Sequence, residues 1–281
     1  MSLQFHTFID YTESVEFSNE HLVSYITLGK NYIHYSVMDT KQQICLLTKA
    51  IYNVKGIIGQ SEFDTLLADN ALRNSSVVHI AVDTAKHTLV PTSMLSPDHF
   101  ESYFSPLYEL ETEEIINAQS IDPEITQLYV VRKASLQYLK NEFKEARIYS
   151  NTACLLHSYL KIVTSVEEQN PVFIHTSFGS MVITLFTKKQ LLYMQSVEIS
   201  GESDVLYCLL NVLQLHQIEV HNTTIFLTGF SDRQNAIASL LATYIHVETI
   251  EIDRIQNENQ GLQHFPLPIL FNQYSLISCA S

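Results

Sequence analysis

Twelve histidines are the first residues in this chain that could do chemistry. His216 and His221 are five apart across an expected helix end, and His79 and His87 flank an expected hairpin. A structural zinc site needs spacings such as H-x3-H or C-x2-C, which let one ion collect its ligands from a short stretch of chain. None of these histidines has such a neighbour, so they read as scattered structural residues. His175, two residues before Ser177, is set apart as a candidate to line a cleft. Neither a G-x-S-x-G elbow nor a G-x4-G-K-[ST] loop occurs, so no nucleophile turn or P-loop is available. Glu109, Glu111, Glu113 and Glu114 form an acidic run. It is expected to be a solvated face, not a cation site or a dock for a basic partner.

The bulk of the chain narrows the classes further. Its net charge of −14 repels phosphate backbones, which argues against nucleic acid. With 281 residues, 46% hydrophobic and 16% charged, it can fill the cores of one large domain or two ordinary ones. Cys45, Cys154, Cys208 and Cys279 are far apart, and residues 1–10 lack a basic and apolar leader pattern. The expectation is a reducing, cytoplasmic setting with four buried thiols. No apolar run is long enough for an integral membrane segment. The apolar tail, 265–281, is expected to be a final packed segment in preference to a membrane-surface helix.

The elements that must position any site follow from apolar periodicity and turn signals. Strands are expected at 22–28, 31–38 and 43–51, with turns at Gly29-Lys30 and Asp39-Thr40-Lys41. A helix follows at 61–72, capped by Ser61, then strands at 77–82 and 88–91. Next come a helix at 97–105 opened by Ser96-Pro97, a strand at 127–132, a helix at 134–143, a strand at 146–149 and a helix capped by Asn151. Residues 1–19 read as an irregular lead-in or edge strand, and 109–120 give no clear element. After a polar break at 167–171 the pattern restarts, with strands at 171–177, 181–187 and 190–199 and a helix at 203–216. A strand at 223–228, a helix at 232–244 and a strand at 247–252 complete it. In the 232–244 helix, Ile237, Leu240, Leu241 and Tyr244 form a core stripe. At an offset of 150 residues the two meanders overlie one another, Thr27-Leu28-Gly29-Lys30 on Ser177-Phe178-Gly179-Ser180. A repeat of this length means two like domains.

Meander, helix, strand, helix, twice over, resembles the actin-like ATPase superfamily. The closer likeness is to the branch holding the type IV pilus assembly ATPase and the cell-division actin homologue, where a small α/β subdomain sits inside the first half. Val77–Val82 is similar to the strand that opens this insert, and Thr88-Leu89-Val90-Pro91 to its next strand. Residues 129–143 match its closing strand and helix, and 148–160 the return to the first domain. Residues 173–198 are similar to the second meander, and Gly201 falls where the family turns into its next helix. Ile225-Phe226-Leu227-Thr228-Gly229-Phe230 resembles the strand and Gly loop that meet the adenosine. The likeness spans about 20–252 and extends to an uncharacterised family of bacterial proteins, mainly from Bacteroidota. It implies an α/β chain with the duplicated actin-like ATPase (ribonuclease-H-like) fold. Two related domains, 1–165 and 166–281, are expected, with a small α/β insert at about 77–145 in the first.

The resemblance also implies a site. Such enzymes hold ATP between the halves, each meander giving a turn of the form Asp-x-Gly-Thr/Ser. The Gly lets the backbone approach the phosphates, where successive N–H groups form an anion nest. The Asp holds Mg²⁺ through water and helps place the attacking water. Carried over residue by residue, the nucleotide positions are Thr27, Gly29 and Lys30, then Ser177, Gly179 and Ser180, and in the adenosine loop Gly229 and Phe230. The glycines are kept, but both Asp positions hold hydroxyls, Thr27 and Ser177, which bring no charge to a cation. Asp39, Asp83, Asp204 and Asp232 fall elsewhere in the repeat. Where the family has Gly-Gly, Phe230 follows Gly229 and would fill room the nucleotide needs, unless the base stacks on it. The expectation is a pseudo-ATPase with no catalytic residue, no metal and no bound cofactor. It would serve as a scaffold or regulator for an unknown protein partner, docking through the insert. The alternative is a nucleotide-binding switch or weak ATPase using ATP and Mg²⁺. A sugar or acetate kinase of this superfamily needs a carboxylate base that the alignment does not supply.

Overall fold

A computed structural model describes residues 3–53, 60–143, 145–230, 233–248, 250 and 268–280. The chain divides into two units, Met1–His157 with Asn272–Ser281, and Ser158–Glu258 with Pro266–Phe271. By this division the first segment ends at His157, and the last helix, from Asn272 onward, goes with the first unit.

The first unit is built on a six-stranded sheet. Its meander is β2 (Leu22–Leu28), β3 (Tyr32–Asp39) and β4 (Ile44–Asn53), with β1 (Leu3–Asp10) added antiparallel to the β4 edge. The lead-in is thus a paired edge strand. Helices α1 (Gln60–Leu67) and α2 (Asn70–Arg73) follow; Ser61 lies inside α1 and does not cap it. Strand β5 (Val77–Val82) pairs parallel with β2, and β9 (Ala146–Ser150) parallel with β5, giving the order β1-β4-β3-β2-β5-β9. Val77–Val82 therefore belongs to the main sheet and does not open the insert.

Between β5 and β9 lies a smaller antiparallel sheet, β6 (His87–Pro91), β7 (Glu114–Ser120) and β8 (Ile125–Arg132), ordered β6-β8-β7. Helix α3 (Phe100–Phe104) packs on it around Val90, Phe104, Leu128 and Val130, and α4 (Lys133–Glu142) leads back. Strand β7 grows out of the acidic run. Glu114 pairs with Lys86 at 2.7 Å, while Glu109, Glu111 and Glu113 stay exposed. Helix α5 is Asn151–Ser165. Its cap is Ser150, whose Oγ accepts from the Ala153 N–H, not Asn151.

The second unit carries β10 (Asn170–Ser177), β11 (Ser180–Thr187) and β12 (Gln190–Glu198), then α6 (Glu202–Leu215), β13 (Thr223–Gly229), α7 (Gln234–Ala242) and β14 (His246–Glu248). Their order is β12-β11-β10-β13-β14, with β13 parallel to β10 and β14 parallel to β13. That repeats β4-β3-β2-β5-β9 strand for strand. Strand β10 shows no polar alternation because both of its faces are covered. Val172 and Ile174 pack with Val205, Leu209, Ile237 and Leu241. Between them Phe173 stacks on Tyr159 at 4.4 Å and on Phe226 at 5.1 Å. Leu240 is half-buried and Tyr244 is exposed, so the stripe on α7 is narrower than its periodicity suggests.

The apolar tail forms α8 (Phe271–Ala280). It is packed, as expected, but on polar as well as apolar residues: Asn272, Gln273, Ser275 and Ser278 are all buried. Among the described residues no helix is long and apolar enough to cross a membrane.

Candidate functional site

In the first unit, Leu28 pairs with Val82 and Val82 with Ser150, so the carboxyl ends of three parallel strands lie side by side. Residues just beyond them gather at one edge, which is where open α/β sheets bind ligands. These are Gly29, Asp83 and Asn151. The Asp83 N–H donates to the Leu28 carbonyl at 2.8 Å, and the Tyr32 hydroxyl donates to its carboxylate at 2.9 Å. Asp83 as a whole reaches solvent in part, but its carboxyl is enclosed, and that burial raises its pKa. The Asn151 carboxamide approaches this carboxyl. Yet neither its nitrogen nor its oxygen has a well-formed hydrogen bond, although the residue is fully buried.

The first turn is closed from two sides. The Gly29 N–H is not turned toward an anion; it donates to the Tyr32 carbonyl at 2.9 Å as part of the hairpin. The Tyr32 ring lies against the face of Gly29, with Cε1 2.0 Å from where a β-carbon would stand, so any larger residue would push the ring aside. Thr27 is fully buried, and its hydroxyl accepts from Gln273 Nε2 at 2.8 Å. That nitrogen also donates to the His34 carbonyl at 2.9 Å. Lys30 sits exposed at the turn's tip.

His34 completes this polar layer. Its Nδ1 lies 3.0 Å from Asn272 Nδ2 and its Nε2 2.8 Å from the Tyr52 hydroxyl. The tautomer with a proton on Nε2 donates to Tyr52 and accepts from Asn272, leaving the Asn272 oxygen for the Gln273 N–H. Burial lowers the His34 pKa to about 4. The imidazole is therefore neutral near pH 7.

In the second unit the equivalent turn is a two-residue hairpin in which Ser177 pairs with Ser180. Gly179 occupies its third position with φ +76°. In the first turn the matching pair is Gly29 and Tyr32. Matched by their closing pairs, the two hairpins align at an offset of 148, from Gly29 to Ser177, instead of the 150 of the sequence repeat. Thr27 then corresponds to His175, and Gly29 and Gly179 hold different places in their turns. A shift of two residues keeps every side chain on its own face of the sheet, so the apolar pattern alone could not detect it. Ser177 is buried at the end of β10, and Ser180 is half-buried at the start of β11.

Gly229 ends β13 with φ +96°, and a β-carbon there would stand 2.0 Å from the Thr176 carbonyl oxygen. Its N–H donates to the Pro268 carbonyl at 2.7 Å. The Thr176 hydroxyl hydrogen-bonds to Gln234, and His175 Nδ1 lies 3.1 Å from Thr228 Oγ1. Phe230 is half-buried, its ring 5.9 Å from that of Phe178. The aromatic that follows Gly229 thus meets one from the β10–β11 turn instead of standing alone.

The remaining candidates are separate. His79 contacts the Tyr149 hydroxyl at 3.0 Å, and His87 Nδ1 is 3.3 Å from Gln127 Nε2. His221 pairs with Glu219 at the surface, and His216 caps the end of α6. Asp204 caps the start of that helix through the Ser200 N–H, and Asp39 the turn after β3. Asp232 lies outside the described residues. Among those residues, no three His, Cys, Asp or Glu side chains come together as a metal-binding group. Cys45 and Cys154 are buried, whereas Cys208 and Cys279 are only half-buried. Sequence reasoning missed Tyr32, Asn151, Asn272 and Gln273 as members of this edge. Each becomes visible only once distant segments are brought together.

The two like sheets and the small third sheet define the actin-like ATPase fold. A Bacteroides thetaiotaomicron protein, described as having an actin-like ATPase fold and unknown function, is similar to this chain with TM-score 0.72 and 17% identity. The match covers 96% of this chain and 99% of the other. A chain from a PilM-PilN type IV pilus biogenesis complex matches with TM-score 0.63 and 10% identity, over 92% and 98%. No curated protein matches the sequence. The chain belongs to the family described as Protein of unknown function (DUF3822), which matches residues 17–247.

Proposed function

We propose that this chain is a non-catalytic member of the actin-like ATPase fold, arisen by internal duplication, that works by binding another protein. The observation that carries the reading is the closed first turn. The Gly29 N–H is used by the hairpin, Tyr32 covers its face, and Gln273 holds the Thr27 hydroxyl. A phosphate approaching there would have to displace a ring and break a buried hydrogen bond. Phe178 and Phe230 add to the argument in the second unit. The insert is the segment we assign to partner contact, because Met94 and Leu107 are exposed on it. A relative of the same fold is described in a pilus biogenesis complex with PilN, which supports the fold as a carrier of protein contacts.

Asn151 favours a second reading, a nucleotide-binding switch. A buried carboxamide without a well-formed hydrogen bond, beside an enclosed carboxyl at the carboxyl ends of parallel strands, is a position a ligand could satisfy. Thermal unfolding with and without millimolar Mg·ATP, alongside a steady-state turnover assay, separates the two. A ligand at 100 times its Kd adds about 2.7 kcal/mol, several degrees for a chain of this size. The scaffold reading expects no shift and no turnover. A shift abolished by Asp83→Ala and Asn151→Ala would replace it with the switch.

A further inference from the structure

The structure brings two thiols from separate segments of the first unit to one donor. Cys154, on α5, is fully buried. Cys279, in the last turn of α8, is partly open to solvent. Gln119 Nε2 lies 3.5 Å from the Cys279 sulfur and 4.0 Å from the Cys154 sulfur. Its oxygen accepts from the Ser150 N–H at 2.7 Å, which fixes the amide with its nitrogen toward both thiols. Burial, and after it the neighbouring Cys279 thiol, pushes the Cys154 thiol well above its usual pKa. Cys45 and Cys208 stand elsewhere: Cys45 lies against Thr48, and Cys208 on α6.

We propose that Cys154 and Cys279 are a dithiol–disulfide pair, oxidised by exchange with a low-molecular-weight disulfide, whose bond fastens α8 to α5. The accessible Cys279 thiolate attacks the small disulfide RSSR, forming a mixed disulfide and releasing RS⁻, which takes up a proton. Cys154 then attacks the Cys279 sulfur, its proton going to the second RS⁻ that it expels, which leaves as RSH. Two protein thiols are oxidised, and one RSSR is reduced to two RSH. This order follows from exposure and acidity, since the sealed, weakly acidic thiol cannot be the first to react.

The consequence lies at the other end of α8. Asn272 and Gln273, in its first turn, hold His34 and Thr27. A bond at Cys279 pins the far end of the same helix and so stabilises the closed first turn. In a reducing compartment such a pair is transient and reports redox state.

The test uses the full chain, reduced and then exposed to millimolar glutathione disulfide. Intact mass should fall by two hydrogens, non-reducing digestion should join the peptides of Cys154 and Cys279, and dithiothreitol should reverse both. Amide exchange within α8 should slow on oxidation. Cys154→Ser should trap a stable glutathione adduct on Cys279, and Cys279→Ser should leave Cys154 unmodified. Glutathione adducts on the unsubstituted chain without the two-hydrogen loss, or a bridge using Cys45 or Cys208, would overturn the pairing. Unchanged exchange in α8 on forming the bond would overturn the fastening.

Discussion

Gln273 and Thr27, 246 positions apart, share a 2.8 Å hydrogen bond in the buried layer between α8 and the meander strand β2. The same amide nitrogen donates to the His34 carbonyl. Gln273→Ala removes both donations and leaves buried acceptors unsatisfied. It should destabilise the protein by about 1–3 kcal/mol. Thr27→Val removes one acceptor and fills the same space, so its cost should be about 1 kcal/mol or less. Urea unfolding of the two variants checks the ranking. A Gln273→Ala midpoint equal to the parent's would mean α8 does not rely on this contact.

The glycines separate two kinds of constraint. At Gly229 both the backbone conformation and the space demand Gly, because a β-carbon would overlap the Thr176 carbonyl on the adjacent parallel strand. At Gly179 only the conformation does; the nearest atom to an added β-carbon is 4.0 Å away. Gly179→Ala should cost about 1–2 kcal/mol. Gly229→Ala should cost about 3 kcal/mol or more, since overpacking against backbone adds to the conformational strain. Equal losses in the two variants would mean that the strand β13 moves away from β10 freely.

Much of the fold is legible in the sequence because the meanders obey simple rules. Polar turns at Gly29-Lys30 and Asp39-Thr40-Lys41 bracket strands of apolar and β-branched residues, and the two halves repeat one order. The register of the repeat is not legible, because a slip of two residues leaves the apolar pattern unchanged. Helix α8 gives only an apolar tail. Its buried face includes Asn272, Gln273 and Ser275, so apolar spacing does not mark which side packs. The candidate edge is harder still. Asp83 and Asn151 each follow a strand and look like ordinary turn and cap residues, until parallel pairing sets them side by side.

The β11–β12 hairpin offers a stabilising change. Thr187 pairs with Gln190 across a two-residue turn in which Lys188 and Lys189 have φ of 49° and 66°. Non-Gly residues pay for this left-handed conformation, and Asn-Gly is the pair that two-residue turns of this hand favour. Replacing Lys188-Lys189 with Asn-Gly should stabilise the second unit by about 1 kcal/mol. It gives up a 2.6 Å bond from Lys189 Nζ to the Thr164 carbonyl, which lies at the surface. A lower melting temperature in the double variant would show that this bond outweighs the relief of strain.

Stability should fall steeply on mild acidification. His34, His79 and His87 each have pKa values lowered to about 4 by burial. An unfolded histidine titrates near 6.5. Between those values the unfolded chain binds protons that the native protein refuses. Their contribution is complete above about pH 6.5 and is lost as pH falls toward 4, with a slope approaching about 4 kcal/mol per pH unit when all three act. Asp10 and Glu114, whose pKa values are lowered, lose their contribution only at still lower pH. Asp83, raised by burial, acts in the opposite sense: its contribution is present at low pH and is lost as pH rises. Urea midpoints at pH 7 and pH 5 measure the balance, and the expected result is a marked drop at pH 5. His34→Gln should make that drop smaller, since one of the three proton-binding sites is gone. A midpoint unchanged between the two pH values would mean that these imidazoles accept protons in the native state.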